Sequence, residues 1–182
     1  MTMWRARQTS TDAGHLNAEQ SASALAQHLQ AGGALAPIPV TDLALAEEER
    51  AYADVACAAA RFYGTDVIYP PRAGYFEHHP SFGRRWVPNR RLDARRSGEA
   101  EADAQERWRD HMPARVVLTS IGLRLQPPGS NWLPFDHALL THAERRPSGV
   151  VLSYSVCAPL FLSGSAAPWL GVAIQHLASH GV

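Results

Sequence analysis

The final 36 residues, 147–182, contain no Asp, Glu, Lys or Arg. A charge-free segment of this length is either a membrane anchor or the buried end of a folded domain. A membrane-spanning helix needs about 20 consecutive, mostly apolar residues. Here Pro159 and the turn-forming sequence Ser163-Gly164-Ser165 interrupt the segment. The sequence therefore predicts the end of a folded domain and no membrane span.

Two short strands and one helix are predicted within this uncharged segment. Gly149 to Leu162 reads GVVLSYSVCAPLFL, which is rich in the Val, Leu and aromatic residues typical of strands. Ala166 to His180 has helical periodicity, and its apolar residues form one stripe: Trp169, Val172, Ala173 and Leu177, widened by Leu170 and Ile174. We expect this helix to be amphipathic, with Trp169 largely buried against the strands.

Further strands are predicted immediately upstream. Ala114 to Gln126 reads ARVVLTSIGLRLQ, two β-rich runs around a central turn, and a turn signal follows at Pro127-Pro128-Gly129-Ser130. Shorter runs occur at Trp132–Phe135 and at Ala138–Glu144. Five or six short strands separated by turns are typical of a small antiparallel roll or barrel, which the C-terminal helix would close.

A hairpin, a Trp-containing strand and a turn into the final helix together form a recognisable combination. The segments are Val116-Val117-Leu118-Thr119, Gly122-Leu123-Arg124-Leu125, Trp132, Leu162-Ser163-Gly164 and Ala167-Pro168-Trp169. They resemble the pleckstrin-homology-like (PH-like) superfold, in particular the small PH-like proteins of high-GC bacteria. The resemblance covers about residues 110–180. It implies a module that presents a sheet edge and loops to a partner and performs no chemistry.

The N-terminal part is predicted to begin with a helix. Residues 18–30 have the pattern of a helix that Gly32-Gly33 would end, and the two prolines of residues 34–40 indicate a linker. We therefore expect residues 1–40 to form an arm with one helix and a linker. Residues 41–182 would form a single globular domain, whose PH-like core spans about residues 110–180.

Residues 43–63 fit two structures. Their abundant Ala and a helical stripe of apolar side chains favour a helix, whereas the PH-like resemblance places the first long strand here. We predict the helix, and we expect short strands at residues 66–69 and 74–78. The predicted class is α+β, an N-terminal helical portion followed by a PH-like antiparallel roll that a C-terminal amphipathic helix closes.

Composition limits the possible functions. The formal net charge is zero, and all 17 basic residues are Arg, which is most simply the codon bias of a GC-rich genome. Cys57 and Cys157 lie in apolar runs and are expected to be small buried residues of a reducing compartment, although a disulfide between them stays open. The first 16 residues contain no apolar signal segment, so a cytoplasmic location is expected.

Charge is concentrated in one segment, residues 83–96, which read GRRWVPNRRLDARR. It holds six arginines against one acid, Asp93. An Arg guanidinium is a planar fork that binds carboxylates and phosphates with two hydrogen bonds, and Arg is enriched at protein interfaces. If the chain binds a macromolecule, we predict a protein partner held by these arginines with Trp86 as the anchor: Arg84, Arg85, Trp86, Arg90, Arg91, Arg95 and Arg96.

Two alternatives to a protein partner remain for this segment. The acidic residues of 97–110 follow directly, and internal pairing of the arginines with carboxylates such as Glu99, Glu101 and Asp103 is the arrangement we expect first. The arginines could also bind an anion or a nucleic acid, with Trp86 stacking on a base. The neutral total charge disfavours nucleic acid, since its binding domains are usually strongly basic.

Catalytic and metal-binding signatures are missing from the sequence. It has no phosphate-binding loop, no dinucleotide fingerprint, no nucleophile elbow and no zinc-protease motif. The two tightest histidine groups are His78-His79 and His137 with His142, and neither has the spacing of a zinc site. We therefore expect a non-catalytic binding module with no metal and no cofactor. The further alternatives are a cryptic metal-dependent enzyme that uses the cluster of Asp136, His137 and His142, and a membrane-associated protein that uses the uncharged C-terminal segment.

Overall fold

A computed structural model describes the backbone of residues 3–180 and the side chains of residues 16–179. The α-helices are α1 (Met3–Gln30), α2 (Arg90–Ala104) and α3 (Ala167–His180). The strands are β1 (Ala51–Tyr63), β2 (Gly74–His79), β3 (Gly83–Pro88), β4 (Arg107–Thr119), β5 (Gly122–Gln126), β6 (Leu133–Asp136), β7 (Leu140–Arg146), β8 (Gly149–Tyr154) and β9 (Leu160–Ser163). A short 3-10 helix, His137–Leu139, joins β6 to β7. The predicted α+β class is confirmed.

Seven strands form one sheet in the order β6-β5-β4-β1-β9-β8-β7, and β2 pairs with β3 in a separate hairpin. The predicted hairpin of residues 114–126 is confirmed as β4 and β5, with Val116 opposite Leu125 and Leu118 opposite Leu123. The predicted break at Pro159 separates β8 from β9. The sheet is therefore built mainly from antiparallel neighbours that follow each other in the chain, with β1 as the middle strand.

The helix predicted for residues 43–63 is wrong, because Ala51–Tyr63 is strand β1. The strand lies between β4 and β9, with Ala58 opposite Ser163 and Arg61 opposite Leu160. Alanine favours helices in isolation, but tertiary pairing overrides this weak preference. Small side chains also suit a strand whose faces are both partly covered. Residues 66–69 were expected to form a strand and are irregular.

The sheet is strongly curved around one apolar core. The rings of Phe135 on β6 and Tyr154 on β8 lie 5.4 Å apart between centroids, although these strands occupy the first and sixth places in the sheet order. Large side chains with no exposed surface fill the interior: Val116, Leu118, Leu123, Val150, Leu152 and Leu162. Because the sheet curves around this core, one of its faces is buried even though the chain is short.

Helix α3 covers this core, as the sequence predicts. Leu170, Ala173 and Ile174 are fully buried, so they form the centre of the apolar face. Trp169 and Leu177 lie at its margin, where they are partly buried and pack against the core. The expected burial of Trp169 is thus confirmed in part. Leu170 and Ile174, which the sequence assigned to the edge of the stripe, lie at its centre together with Ala173.

Helix α1 is longer than predicted, since it begins at Met3 and not at Ala18. Its end agrees with the prediction. Gly32 has a left-handed φ of +84°, and the amide of Gly33 donates to the carbonyl of His28, which is a glycine-dependent helix ending. Ala22 is fully buried, and α1 packs against α3. A polar helix thereby gains tertiary contacts through its small residues.

A buried polar group fastens the segment before β1 to the β4–β5 hairpin. The Glu49 carboxylate lies 3.0 Å from the Arg124 guanidinium and 2.7 Å from the Thr119 hydroxyl. Thr119 is fully buried, and its hydroxyl also accepts a hydrogen bond from the Gly122 amide in the turn. Each buried charge therefore has a partner, which offsets the cost of removing it from water.

Both cysteines are free thiols. Cys57 is buried on β1 and Cys157 is partly buried in the loop before β9. Burial raises the pKa of Cys57 to about 11, so this thiol stays protonated and unreactive at neutral pH.

The chain divides into two compact units. One comprises the residues up to Phe62 together with those from Trp108 onward, and the other is Tyr63–Arg107. The second unit, here called the insert, contains β2, β3 and α2 and lies in the chain between the neighbouring strands β1 and β4.

Truncation of a core side chain of α3, Leu170 or Trp169, should destabilise the sheet unit more than truncation of the solvent-facing side chain of Val156. We expect Leu170→Ala to lower the free energy of unfolding by about 2–5 kcal/mol, because it leaves a cavity at a fully buried position. Trp169→Ala should cost about 3 kcal/mol, the lower end for a large aromatic residue, since Trp169 is only partly buried. Val156→Ala, at an exposed position, should change it by less than about 0.5 kcal/mol. Urea denaturation measures all three, and equal values would contradict this core.

Acid should weaken the fold through His137. Burial holds the pKa of this imidazole below its ordinary value, and its Nε2 donates to the Thr119 carbonyl at 3.2 Å. Between this depressed pKa and the ordinary value near 6.5, the unfolded chain takes up a proton that the folded chain resists. The free energy of unfolding of the wild type, measured relative to that of His137→Gln, should therefore be highest above about pH 6.5. It should fall as the pH is lowered below that value. A pH-independent difference in denaturation midpoints would show that the imidazole is not held neutral.

Candidate functional site

All seven residues that the sequence singled out for binding lie in the insert. Arg84, Arg85 and Trp86 are on β3, and the other four arginines are on the first two turns of α2. The insert is therefore the candidate site, and it has two parts, the β2–β3 hairpin and helix α2.

One face of the hairpin carries a stack of three side chains. Phe76 lies opposite Trp86, and His78 lies opposite Arg84. The Arg84 guanidinium lies 4.0 Å from the centre of the Phe76 ring, and the Phe76 and Trp86 rings meet edge to face with centroids 5.0 Å apart. Cation–π and edge-to-face contacts hold these side chains in place, yet Phe76 is 54% exposed and Trp86 41%. The Arg84–Phe76–Trp86 stack is thus ordered and open to solvent.

Glycine at position 74 allows Trp86 to lie flat on the hairpin. A Cβ added to Gly74 would come within 2.4 Å of the Trp86 ring and 2.5 Å of the Val87 carbonyl oxygen. The ring therefore covers the bare backbone of the opposite strand, which fixes its position.

The opposite face of the hairpin contains an ion pair and further exposed rings. Arg85 pairs with Glu77 directly across the strands at 2.7 Å. Tyr75 is 55% exposed, and Phe82 in the turn is 78% exposed and contacts the ring of His79. Solvent-facing aromatic rings thus occur on both faces of this hairpin and at its tip.

The exposed aromatic side chains at residues 16–179 are confined to the insert. Among the side chains that the structure describes, every exposed Phe, Tyr or Trp belongs to it: Tyr69, Tyr75, Phe76, Phe82 and Trp86. Single exposed apolar residues are ordinary, whereas a cluster of rings beside arginines is typical of an interaction surface. Sequence analysis found only Trp86 of these five. A short strand at residues 74–78 was predicted, but the register that places Phe76 against Trp86 was not.

Helix α2 is largely exposed and is partly covered on one side, at Asp93, Ser97 and Ala100. Asn89 caps it by accepting a hydrogen bond from the Leu92 amide at 3.1 Å, and no residue of the helix is buried. Its four arginines are all exposed. The helix is therefore held by its cap and by surface contacts and not by an apolar face.

Internal pairing of the arginines is partial. Arg95 pairs with Glu99 one turn later at 2.8 Å, which is the pairing that the sequence suggested, and Arg85 pairs with Glu77. The other two expected acids are engaged elsewhere, Glu101 with the Tyr69 hydroxyl and Asp103 with Arg107. Four of the six predicted arginines make no ion pair with any side chain between residues 16 and 179: Arg84, whose guanidinium lies over the Phe76 ring, and Arg90, Arg91 and Arg96.

The histidine side chains that the structure describes do not converge on a common site. Within the described residues, no group of three or more His, Cys, Asp or Glu side chains could hold a metal ion. His137 is turned to the Thr119 carbonyl, while His142 is exposed on β7. Over the same residues, no helix is long and apolar enough to cross a membrane.

Comparison with known proteins finds no family model, no curated protein and no solved structure that matches this chain.

Chelation should leave the protein unchanged. We expect the melting temperature to be the same with and without EDTA, and less than about 0.1 equivalent of zinc or iron to accompany the purified chain, because a zinc site requires three or four converging ligands. Elemental analysis and a thermal scan measure this. A stoichiometric metal that is lost on mutation of His137, or of His78 and His79, would contradict it.

Proposed function

We propose that the chain is a non-catalytic binding module, in which a PH-like antiparallel roll carries the insert and the insert binds a protein partner. The sheet order supports the PH-like resemblance. Apart from the β2–β3 hairpin of the insert, the strands form two meanders, β1-β4-β5-β6 and β7-β8-β9, which meet where β1 lies beside β9. Helix α3 follows the last strand. A fold of this kind does not define a function, so the argument for binding depends on the insert.

The exposed Arg84–Phe76–Trp86 stack is the observation that carries the proposal. Trp, Tyr and Arg dominate the binding energy of protein interfaces, because they combine a large contact area with hydrogen-bonding groups. A ring that is already fixed loses little conformational entropy on binding. Trp86, held between Gly74 and Phe76, therefore suits the anchor role that the sequence suggested.

The charges indicate an acidic partner surface. Arg90, Arg91 and Arg96 have no carboxylate partner among the described side chains and follow the hairpin directly in the chain. Complementary charge speeds encounter and is weakened by salt. Partner binding should thus combine an apolar contact at Trp86 with a salt-sensitive contribution from arginines.

Substitution of the stack should abolish partner capture. With the immobilised full chain as bait, we expect proteins retained at low salt to be lost with Trp86→Ala and with Phe76→Ala, each weakening binding by at least about 2 kcal/mol as interface anchors do. Ile121→Ala, an exposed apolar residue of the sheet unit, is the matched control and should retain them. Quantitative mass spectrometry of the retained proteins measures the effect.

Unfolding of the variants must be excluded as the cause. The free energy of unfolding should change by only about 0.5–1.5 kcal/mol for Trp86→Ala, the usual contribution of an aromatic pair. The proposal fails if Trp86→Ala and Phe76→Ala capture the same proteins as the wild type, as the control Ile121→Ala is expected to do.

An anion or single-stranded nucleic acid is the second candidate, because exposed rings beside arginines also suit base stacking. Fluorescence anisotropy with a labelled single-stranded oligonucleotide distinguishes it. Affinity that falls steeply with salt and is lost in Trp86→Ala would favour nucleic acid over a protein partner.

A further inference from the structure

The backbone hydrogen bonds of the β2–β3 hairpin follow a fixed alternation. The amide of Asn89 donates to the carbonyl of Ala73 at 2.8 Å, and these two residues continue the register in which Gly74 lies opposite Pro88. Residue pairs of an antiparallel ladder alternate between pairs that exchange hydrogen bonds and pairs that do not. The pair of Gly74 and Pro88 is therefore of the second kind, in agreement with the missing N–H of proline. Gly74 and every second residue of β2 after it thus direct their N–H and C=O groups away from β3.

The outer edge of β2 is open. Its outward-directed backbone groups belong to Gly74, Phe76 and His78, and no described strand other than β3 pairs with β2. Phe76 and His78 are both exposed. Helix α2 is held just before the strand, at Ala73, whose amide donates to the Asp93 carboxylate at 3.1 Å. An open edge of this kind can accept a further strand from another chain.

Two side chains of β3 reach across the hairpin toward this edge. The Arg84 guanidinium lies 4.0 Å from the centre of the Phe76 ring. The Trp86 ring lies over Gly74, only 2.4 Å from the position that a Cβ there would take. Arg84 makes no ion pair with any described side chain. One face of β2 therefore carries an uncompensated positive charge and a fixed apolar surface, both beside its open edge.

We propose that an extended acidic segment of a partner protein adds to the outer edge of β2 as a third strand. Antiparallel pairing is the more stable arrangement. The residue of the segment opposite Phe76 is then an Asp or Glu beside the Arg84 guanidinium, and the residue opposite Gly74 is a large apolar one against Trp86. Because the strands run in opposite directions, the segment carries its acid two positions before its apolar residue. Backbone hydrogen bonds supply affinity in such complexes, and alternate side chains supply specificity.

The charges around this edge favour an acidic segment over a second copy of the hairpin. The two large side chains of β2 on the face of the stack are Phe76 and His78, neither of which is acidic. Glu77 lies on the opposite face, where it pairs with Arg85 at 2.7 Å. A second hairpin added at this edge would bring a second Arg84 and no carboxylate, and like charges on neighbouring strands are destabilising. A basic segment would meet the same repulsion.

This inference rests on the proposed function, because it names the kind of segment that the Arg84–Phe76–Trp86 stack binds. It adds one requirement, namely that the backbone of the partner hydrogen-bonds to the backbone of β2. A partner that only inserts side chains against Trp86 would not meet this requirement, so the two proposals can be tested separately.

Selection from a displayed library of random peptides on the immobilised full chain tests the predicted specificity. Peptides enriched by the wild type should carry Asp or Glu two positions before a large apolar residue. Arg84→Glu should reverse the charge preference, so that Lys or Arg replaces the acid at that position. Arg85→Gln changes an arginine of the opposite face and should leave the preference for an acid unchanged.

Methylation of a backbone nitrogen in the selected peptide tests strand addition on the wild-type protein, where no variant can misfold. Methylation at the acidic residue removes the N–H that donates to the Phe76 carbonyl. It should weaken binding at least about tenfold, because a hydrogen bond is lost and the carbonyl is left without its partner. Methylation at the next residue, whose N–H points away from β2, is the matched control and should weaken binding less than about twofold. Fluorescence anisotropy with the labelled peptides measures both.

Three results would overturn the inference. The library could yield no enriched peptide, or peptides without the acid. The two methylated peptides could bind equally well; if Trp86→Ala then still loses the peptide, side chains alone make the contact and the proposed function stands. Finally, Arg84→Glu and Trp86→Ala could both bind the selected peptide like the wild type, which would place the peptide away from the stack.

Discussion

Strand β1 has a hydrogen-bonded neighbour on each side, β4 on one and β9 on the other, and the rest of the sheet depends on this double pairing. Backbone amides and carbonyls buried in a sheet must be paired, because each unpaired group costs about as much as a lost hydrogen bond. Loss of β1 would leave β4 and β9 as two open edges and divide the sheet into halves. The alanines of β1 therefore matter through their backbone and through their small size, which lets a middle strand fit a strongly curved sheet.

The place of β1 in the sheet also explains why the insert can lie between β1 and β4 in the chain. Because β1 and β4 are neighbours in the sheet, the chain between them can leave as β1 ends and return as β4 begins without disturbing the pairing. Insertions at such positions are tolerated, since the loop-closure cost rises only slowly with length. The insert has few buried residues of its own, Ala73 being one of them, and it holds its shape by surface contacts such as the Arg84–Phe76 stack and the Asn89 cap. It can therefore carry exposed rings and unpaired arginines that a core segment could not.

The sequence was informative where local pattern and tertiary structure agree. The two β-rich runs on either side of the turn from Thr119 to Gly122 predicted the β4–β5 hairpin, and the apolar stripe of residues 169–177 predicted helix α3. The alanines of β1 led to the wrong prediction of a helix. The helical preference of alanine amounts to less than about 1 kcal/mol per residue, and sheet pairing outweighs it. Contacts between distant residues could not be predicted, because no local pattern specifies them. Examples are Arg124 with Glu49 and Phe76 with Trp86.

Hydrogen exchange of the full chain tests most directly whether a stable sheet carries an insert that opens separately. Exchange rates reveal the free energy of the opening that exposes each amide, from local fraying to global unfolding. The account predicts that amides of β1 and β4 exchange only by global unfolding, whereas those of β2, β3 and α2 exchange through a smaller, local opening. Exchange of the insert with the same free energy as β1, or faster exchange in β1 than in α2, would contradict it.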